Sequence, residues 1–362
     1  MVLENFRIKN IAQFLIENKL IFVFVVLLSL LPMVFHNIGF AWITTILALF
    51  TSVANNSFQI FGTFFLINKK TPKWKMFLFI FGVFTIIILA SWFLFNKELH
   101  FGKLNSIPYN NNLSIFHFLS PFVLIYLTHK KIPVSSTFLF TTLFSSSAVV
   151  HTILTKTIHI YILSFAFGFV LWKYIYPFFA AKIQKYMKFE LLEMNNKKFW
   201  FTMQYISTAL LWFSWLFSNM SSALVFIPRQ FDIKSLGILL LFSGIIIYYL
   251  IDNMGGNMQQ LIKNKKNTDD IKSATMINIV YGCLIYIFQF SVNIPISTTW
   301  VFIGLIAGRE IAITSSQNIL IVSEIIHKNS VKRVISDLLH AVLGVIISLG
   351  FTMISKMLIT LF

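Results

Sequence analysis

Long apolar runs separated by short polar stretches occupy almost the whole chain. Each run is close to the roughly 20 residues that an α-helix needs to cross the hydrocarbon core of a bilayer. The pattern predicts an all-α polytopic membrane protein in which 11 hydrophobic segments can be distinguished. The segments cover residues 20–36, 39–68, 74–95, 113–128, 132–148, 158–180, 199–228, 235–251, 274–292, 294–308 and 336–355.

The positions of the basic residues predict the orientation of these segments. If every run crosses the bilayer and the N-terminus is cytoplasmic, 22 of the 29 Lys and Arg residues lie on the cytoplasmic side and 6 on the other. Such an excess is the positive-inside pattern, and it places the C-terminus outside. If 113–148 or 274–308 is instead a re-entrant hairpin, all other loops keep their sides. Residues 20–36 are interpreted as a retained span, because no cleavage signal follows them.

Composition and charge exclude some partners and structural features but do not identify a substrate. The chain is 57% hydrophobic and 11% charged, with a mean hydropathy of +0.80. Its net charge of +17 lies largely in the predicted cytoplasmic loops, so we expect contact with membrane lipids and not with nucleic acid. Cys283 is the only cysteine, which excludes an intrachain disulfide. The expected location is a bacterial inner membrane.

The order of the runs repeats along the chain. "IPVSST" at 132–137 corresponds to "IPISTT" at 294–299, and the two prolines are 162 positions apart. The long broken runs correspond around Asn56 and Asn219, which are 163 positions apart. Five runs per copy would make the second copy enter from the opposite face, an inverted repeat typical of secondary transporters. The predicted organisation is 1–36 (amphipathic stretch and extra span), 37–181 (first transport half), 182–198 (cytoplasmic linker) and 199–362 (second transport half).

Each proline motif carries consecutive hydroxyl residues where a helix is expected to begin. Pro133 and Pro295 suit the first turn of a helix, where a missing N–H costs nothing. The following residues would then offer free backbone N–H groups and hydroxyls to an anion. In the alternative interpretation these hydroxyls only cap helices. The predicted anion-binding residues are Ser135, Ser136, Thr137, Ser297, Thr298 and Thr299.

Amide side chains interrupt the two broken runs. Residues three apart share a helix face, so Asn56 with Gln59, and Asn219 with Ser222, can point at one cavity. Asn55 is the fifth candidate of this set, which we expect to bind the anion or a coupling cation. Asn, Gln and Ser also serve as contacts between membrane helices, and that alternative stays open.

These residues carry a resemblance to a known family. "ANNSFQIFGT" at 54–63, "PVSST" and "PISTT" are similar to the repeated motifs of the inorganic phosphate transporter family, whose members move phosphate or sulfate with sodium ions or protons. The resemblance implies a secondary transporter that works by alternating access. It also implies that Asn56, Gln59, Asn219, Ser222 and both hydroxyl motifs surround the anion and its coupling cations. A homo-oligomer is compatible with it.

The chain departs from the family pattern at its charged positions. Asn56 and Asn219 stand where the family has aspartates, and Phe138 and Trp300 where it has histidines. With no carboxylate deep in a run, a sodium ion held by neutral oxygens is a better candidate for coupling than a proton. No metal site, cofactor or catalytic set is expected, and the protein is not predicted to be an enzyme. The alternative is a family member that has lost transport and has a structural or interaction role.

One charged pair lies at the end of a run. Arg309 and Glu310 in "GREIAI" are expected at the cytoplasmic interface, as an ion pair or anchor rather than a substrate contact.

Overall fold

The computed structural model describes residues 37–110, 113–178, 197–263, 270–290, 295–315 and 320–361. Within these ranges the chain forms helices and no β-strand, apart from an isolated antiparallel bridge between Glu98 and Gln230. The predicted N-terminal stretch and first span, 1–36, lie outside the described residues, as does nearly all of the predicted linker.

The first half begins with a broken helix. The helices are α1 (Asn37–Ile60), α2 (Gly62–Ile67), α3 (Lys73–Leu94), α4 (Ile115–His129), α5 (a π-helical turn Thr137–Thr141 continued by Thr142–Phe144) and α6 (Ser147–Phe178).

The second half of the chain forms six further helices within the described residues. Its helices are α7 (Lys197–Ala223, continued by a 3₁₀ turn Leu224–Phe226), α8 (Ile233–Asp252), α9 (Gln259–Lys263), α10 (Ile271–Phe290), α11 (Thr298–Ser315) and α12 (Leu320–Leu361). Among the described residues, seven helices are long and apolar enough to span a bilayer: α1, α3, α6, α7, α8, α10 and α12. The chain is therefore an all-α membrane protein, as predicted. The inversion of the second half stays a prediction.

The helices α1 and α7 are the most deeply buried of the seven candidate spans. In the most apolar window of α1, 67% of the residues are buried, and in that of α7, 78% are. The corresponding share is 22% in α3 and 28% in α6 and α12. Because lipid is as apolar as the side chains it meets, peripheral helices can expose Phe and Ile, whereas polar side chains must be collected inside. The polar residues of α1 and α7 accordingly lie in the interior.

The break between α1 and α2 is stabilised by another segment. Backbone groups freed from a helix need a partner when water is absent. α1 ends at Ile60, and beyond it the Gly62 carbonyl accepts a hydrogen bond of 2.7 Å from Gln259 Nε2 of α9. The Ser57 hydroxyl donates to the Gly255 carbonyl at 3.0 Å. The connection between α8 and α10 therefore braces the broken helix.

Glycines allow α6 and α11 to pack at backbone distance. A Cβ on Gly304 would lie 2.6 Å from the Tyr161 carbonyl oxygen, and one on Gly308 would lie 2.1 Å from that of Phe165. A Cβ on Gly168 would lie 2.5 Å from the Leu305 carbonyl oxygen. Small residues four apart are a recurring means of bringing membrane helices into close contact. This contact fixes the helix that begins at the second hydroxyl motif.

Three predicted boundaries were wrong. The run at 132–148 forms a helix only to Phe144, because Ser146 caps the next helix by accepting a hydrogen bond from the Val149 N–H. The helix predicted at 158–180 therefore begins at Ser147. The run at 336–355 is part of a longer helix, α12.

At 15 residues, α4 is too short to cross a bilayer, and α5 is shorter still, which agrees with the re-entrant alternative for 113–148.

Candidate functional site

The two hydroxyl motifs lie against each other and exchange hydrogen bonds. The Thr137 hydroxyl donates to the Ile296 carbonyl at 3.3 Å, and the Thr299 hydroxyl donates to the Val134 carbonyl at 3.4 Å. Thr137 and Thr299 occupy the same place in the two motifs, and so do Val134 and Ile296. A contact in which equivalent residues exchange roles is the pattern of a twofold interface.

The carbonyls are available because both motifs begin outside the helices. Pro133 lies four residues before α5, and Pro295 lies three residues before α11. The prediction that these prolines occupy the first helical turn was therefore wrong. They instead hold a short non-helical segment, whose carbonyls have no helical partner and accept side-chain hydrogen bonds from the opposite half.

Gln59 joins the first half to the second motif. Its Nε2 donates to Asn56 Oδ1 at 3.0 Å and to the Thr299 hydroxyl at 3.2 Å. Asn56 Oδ1 also lies 3.2 Å from the Thr299 hydroxyl, and its Nδ2 donates to the Ser52 carbonyl. The predicted pair on one face of α1 thus meets the hydroxyl motif of the other half.

Asn55 lies on a different side of α1. Its Nδ2 donates to the Val134 carbonyl at 2.6 Å, and its Oδ1 accepts from the Thr128 hydroxyl at 3.2 Å. Asn55 therefore ties α1 to the link between α4 and α5, beside Asn56 but directed at the backbone of the first motif.

In the second half of the chain, Asn219 bonds to a hydroxyl motif, as Asn56 does in the first half. Its Nδ2 donates to the Thr298 hydroxyl at 3.0 Å and to the Trp215 carbonyl at 3.2 Å. Ser222 differs, because its hydroxyl donates to the Asn219 carbonyl on its own helix. The structure thus joins Asn219, and not Ser222, to the second motif by a side-chain hydrogen bond.

Sequence reasoning missed Tyr281, which connects both parts of the site. The hydroxyl of this α10 residue lies 2.9 Å from Gln59 Oε1 and 3.0 Å from the Thr298 carbonyl, so one proton is shared between two acceptors. A signal was present: Asn278 and Tyr281 are three apart inside an apolar run and share a helix face. Asn278 extends the polar network outward, accepting from Thr63 at 2.7 Å and donating to Thr208 at 3.0 Å.

Two buried hydroxyls at the centre have no hydrogen-bond partner among the described residues. They belong to Ser136 and Ser297, one in each motif, and each residue is 1% exposed. A buried polar group without a partner costs about 1–3 kcal/mol. Ser135 differs, since its hydroxyl accepts weakly from the Phe138 N–H at 3.4 Å.

The site is neutral and closed. The 11 predicted site residues are between 0% and 4% exposed. They are all amides and hydroxyls, so they can donate to an anion or offer oxygen to a hard cation without a formal charge. Within the described ranges, no group of three or more His, Cys, Asp or Glu residues is placed to hold a metal ion.

A cation approaches this network from the loop after α3. Lys103 Nζ donates to the Gln289 carbonyl at 2.6 Å, and Gln289 Oε1 accepts from Ser218, the neighbour of Asn219. Burial lowers the pKa of Lys103, because the charged form loses hydration. Lys103 is thus connected through Gln289 to α7 at Ser218, one residue before Asn219.

Arg309 and Glu310 are enclosed by protein, so the alternative in which they anchor the chain at the membrane interface was wrong, whereas their location on the cytoplasmic side stays a prediction. They are 2% and 1% exposed and lie inside α11. Arg309 donates to the Ser273 hydroxyl at 2.7 Å, and Glu310 accepts from Arg333 at 2.8 Å. The pair links α11 to α10 and α12 and lies some three turns along α11 from Thr299.

Comparisons of this chain with protein-family models, curated proteins and solved structures give no match.

Proposed function

We propose that this protein is a secondary transporter of inorganic phosphate, or of a related oxyanion such as sulfate, that works by alternating access between two inverted repeats. The observation that carries the proposal is that the hydroxyls of Ser136 and Ser297, one from each of the two motifs in contact, are buried without a hydrogen-bond partner among the described residues. A buried hydroxyl without a partner is destabilising, so these two hydroxyls would gain from a hydrogen bond to a bound ligand.

The chemistry around these hydroxyls suits a tetrahedral oxyanion. Two helix starts, α5 and α11, converge with their hydroxyl residues, and a helix start binds anions through its N–H groups and dipole. The reciprocal bonds of Thr137 and Thr299 agree with two inverted copies that share one site. The resemblance of both motifs to the inorganic phosphate transporter family selects phosphate first and sulfate second.

A sodium ion is the coupling cation that this arrangement favours. Asn56, Gln59 and Asn219 supply amide oxygens, and Val134 and Ile296 supply carbonyls outside the helices. Hard cations are bound through oxygen and do not require a carboxylate. The proposed setting is a bacterial inner membrane, with the N-terminus in the cytoplasm and the C-terminus outside.

The closed network also supports a second candidate, a family member that no longer transports and has a structural role. Its amides and threonines bond mainly to one another, as they would in a permanently packed interior. In a transporter, the same geometry is the occluded state between the two open ones. The two candidates differ in what the unpartnered serines do.

The decisive experiment compares Ser136→Ala and Ser297→Ala with Ser243→Ala, a matched control. Ser243 lies in α8 and is also buried without a hydrogen-bond partner among the described residues. All three variants remove a costly group, so their stability should equal or exceed that of the native protein. Only Ser136→Ala and Ser297→Ala should weaken phosphate binding, by about 1–3 kcal/mol per lost contact.

Binding is measured on the purified protein with and without sodium, and uptake is measured in proteoliposomes under an imposed ion gradient. Sodium-dependent uptake that falls in the two site variants, and not in the control, supports the proposal. Absence of both phosphate and sulfate uptake, with unchanged binding in the variants, would refute it and favour the structural role.

A further inference from the structure

A cavity of about 330 Å³ is lined by residues that adjoin the proposed transport site in sequence. Its rim carries Lys130, Lys131 and His340, which are exposed, and its floor is formed by the buried residues Phe58, Pro133 and Phe302. The volume is at the lower end of the range of small-molecule sites, about 300–1,000 Å³. We call this cavity the rim chamber.

The floor of the rim chamber is the wall of the hydrogen-bonded network. Phe58 comes two residues after Asn56 and one before Gln59 along α1, and Pro133 precedes Val134, whose carbonyl accepts from Asn55 and Thr299. The Phe58 and Phe302 rings meet edge to face with centroids 5.4 Å apart. Phe302 also packs against the Tyr281 ring at 5.1 Å. One layer of aromatic side chains therefore separates the chamber from the site.

The charge of the rim chamber favours anions. Two lysines face a single carboxylate, that of Asp337, and most of the remaining lining is apolar. A concave surface of one predominant charge, with walls of low dielectric constant, concentrates ions of the opposite sign. Ser336 and His340 add polar groups beside the lysines.

The backbone at Lys131 has an unfavourable conformation. The Lys131 N–H bonds to the Thr128 carbonyl and the Ile132 N–H bonds to the Leu127 carbonyl, which closes α4 with a Schellman motif. The Lys131 position of that motif has a φ of 59° and is usually glycine. A lysine at this position is conformationally costly, and its side chain is directed to the rim chamber.

The segments around the chamber share a predicted side of the membrane. Leu261 belongs to a predicted cytoplasmic loop, and Ser336 and Asp337 begin the last predicted run from the cytoplasm. Lys130 and Lys131 connect the two arms of the 113–148 segment and line the same chamber. The chamber thus opens where a substrate would leave the transport site toward the cytoplasm.

We propose that the rim chamber is a second oxyanion-binding site, in which Lys130 and Lys131 hold phosphate on its way to or from the cytoplasm. The proposal extends the function proposed above, because it gives that transport site an antechamber behind the Phe58–Phe302 layer. It assigns a substrate contact to lysines that lie outside both repeated motifs.

The test is equilibrium binding of inorganic phosphate to the full chain in nanodiscs of zwitterionic lipid at low ionic strength. The variant is Lys130→Gln with Lys131→Gly, since glycine suits the backbone at position 131 and preserves the fold. Lys69→Gln with Lys70→Gln is the control, because it removes the same charge from an exposed, predicted cytoplasmic loop outside the chamber.

The native protein should bind phosphate in a tighter and a weaker class. The Lys130/Lys131 variant should weaken the second class by about tenfold or more, as expected for lost charge-assisted contacts. The dissociation constant of the tighter class should change by less than about twofold in this variant. In Ser297→Ala, the tighter class should bind phosphate more weakly. An unchanged weaker class, or the same loss in the Lys69/Lys70 control, overturns the rim-chamber site.

Two further outcomes separate this proposal from others. A lipid headgroup also offers a phosphate, so the measurement is repeated with phosphatidylglycerol in the nanodisc. Loss of the weaker class there identifies the headgroup as occupant and overturns the antechamber. If the tighter class is missing or insensitive to Ser297→Ala while the lysine-dependent class persists, the proposed transport site fails and the rim chamber stands as an independent anion site.

Discussion

Removal of the Tyr281 hydroxyl tests whether one side chain holds the two parts of the site together. Tyr281→Phe keeps the ring, which is fully buried and packs against Phe302, and deletes only the O–H group. That group lies between Gln59 Oε1 on α1 and the Thr298 carbonyl at the start of α11. No other described side chain is hydrogen-bonded to both residues.

The magnitude follows from the groups left behind. The phenol supplies one proton, so the direct loss is one hydrogen bond, with a net contribution of about 0.5–1.5 kcal/mol. Gln59 Oε1 then remains buried without its donor, which raises the total to about 1–3 kcal/mol. For an equilibrium that depends on the closed arrangement, this energy changes the equilibrium constant by roughly 5- to 150-fold. We expect the variant to be less stable by that amount and to bind phosphate more weakly, up to the same factor.

The assay is the denaturant midpoint of the purified protein in detergent micelles, together with its phosphate dissociation constant. Tyr286→Phe is the control, because Tyr286 lies on the same helix and is 38% exposed. Its hydroxyl forms no hydrogen bond with another described residue, so its loss should change stability by less than about 0.5 kcal/mol. If Tyr281→Phe matches the control in both measurements, the hydroxyl does not hold the site closed.

Two other perturbations test the frame around the site. Gly308→Ala should destabilise the protein by about 1–3 kcal/mol, since its Cβ would lie 2.1 Å from the Phe165 carbonyl oxygen. Gly237→Ala in α8 is the control and should stabilise the protein, because a Cβ there has nothing within 4 Å. A higher melting temperature for Gly308→Ala than for the native protein would contradict the packing argument. Arg333→Met should lower the free energy of unfolding by up to about 3 kcal/mol, because it removes an ion-pair partner of the buried Glu310 carboxylate. The double variant Arg333→Met with Glu310→Gln should recover most of that stability. If the losses of the two single variants are instead additive in this double-mutant cycle, Arg333 and Glu310 are not coupled.

The sequence predicted which segments of the site meet, for a physical reason. A proline followed by hydroxyl residues is costly in an apolar run unless it lies against other protein, and two copies 162 residues apart identify two such places. Asn56 and Gln59 are three residues apart, so the helical period of 3.6 residues places both side chains on the same face of α1. Thr299 contacts both of them, as the proposed shared site requires.

The remaining features depend on tertiary packing, which local pattern does not encode. Tyr281 looks like any aromatic residue in an apolar run, and only the approach of α10 to α1 gives its hydroxyl two acceptors. Arg309 and Glu310 stand at the end of a run, where lipid headgroups would suit them, but α10 and α12 supply Ser273 and Arg333 instead. The helix start moved beyond Pro133 because the Val134 carbonyl bonds to Asn55 and Thr299 rather than to a following N–H.

The site also contains an asymmetry that bears on alternating access. Thr298 and Ser136 are equivalent positions of the two motifs, and Asn219 and Asn56 are nearly equivalent positions of α7 and α1. Thr298 is bonded to Asn219, whereas Asn56 is bonded to Gln59 and Thr299, and the Ser136 hydroxyl has no described partner. If two inverted copies exchange conformations, the opposite state has a bond between Ser136 and Asn56 and releases Thr298. One hydrogen bond is then exchanged for another, so this exchange contributes less than one whole buried hydrogen bond, about 1 kcal/mol, to the energy difference between the states. A ligand that binds one state more tightly can shift an equilibrium of that size.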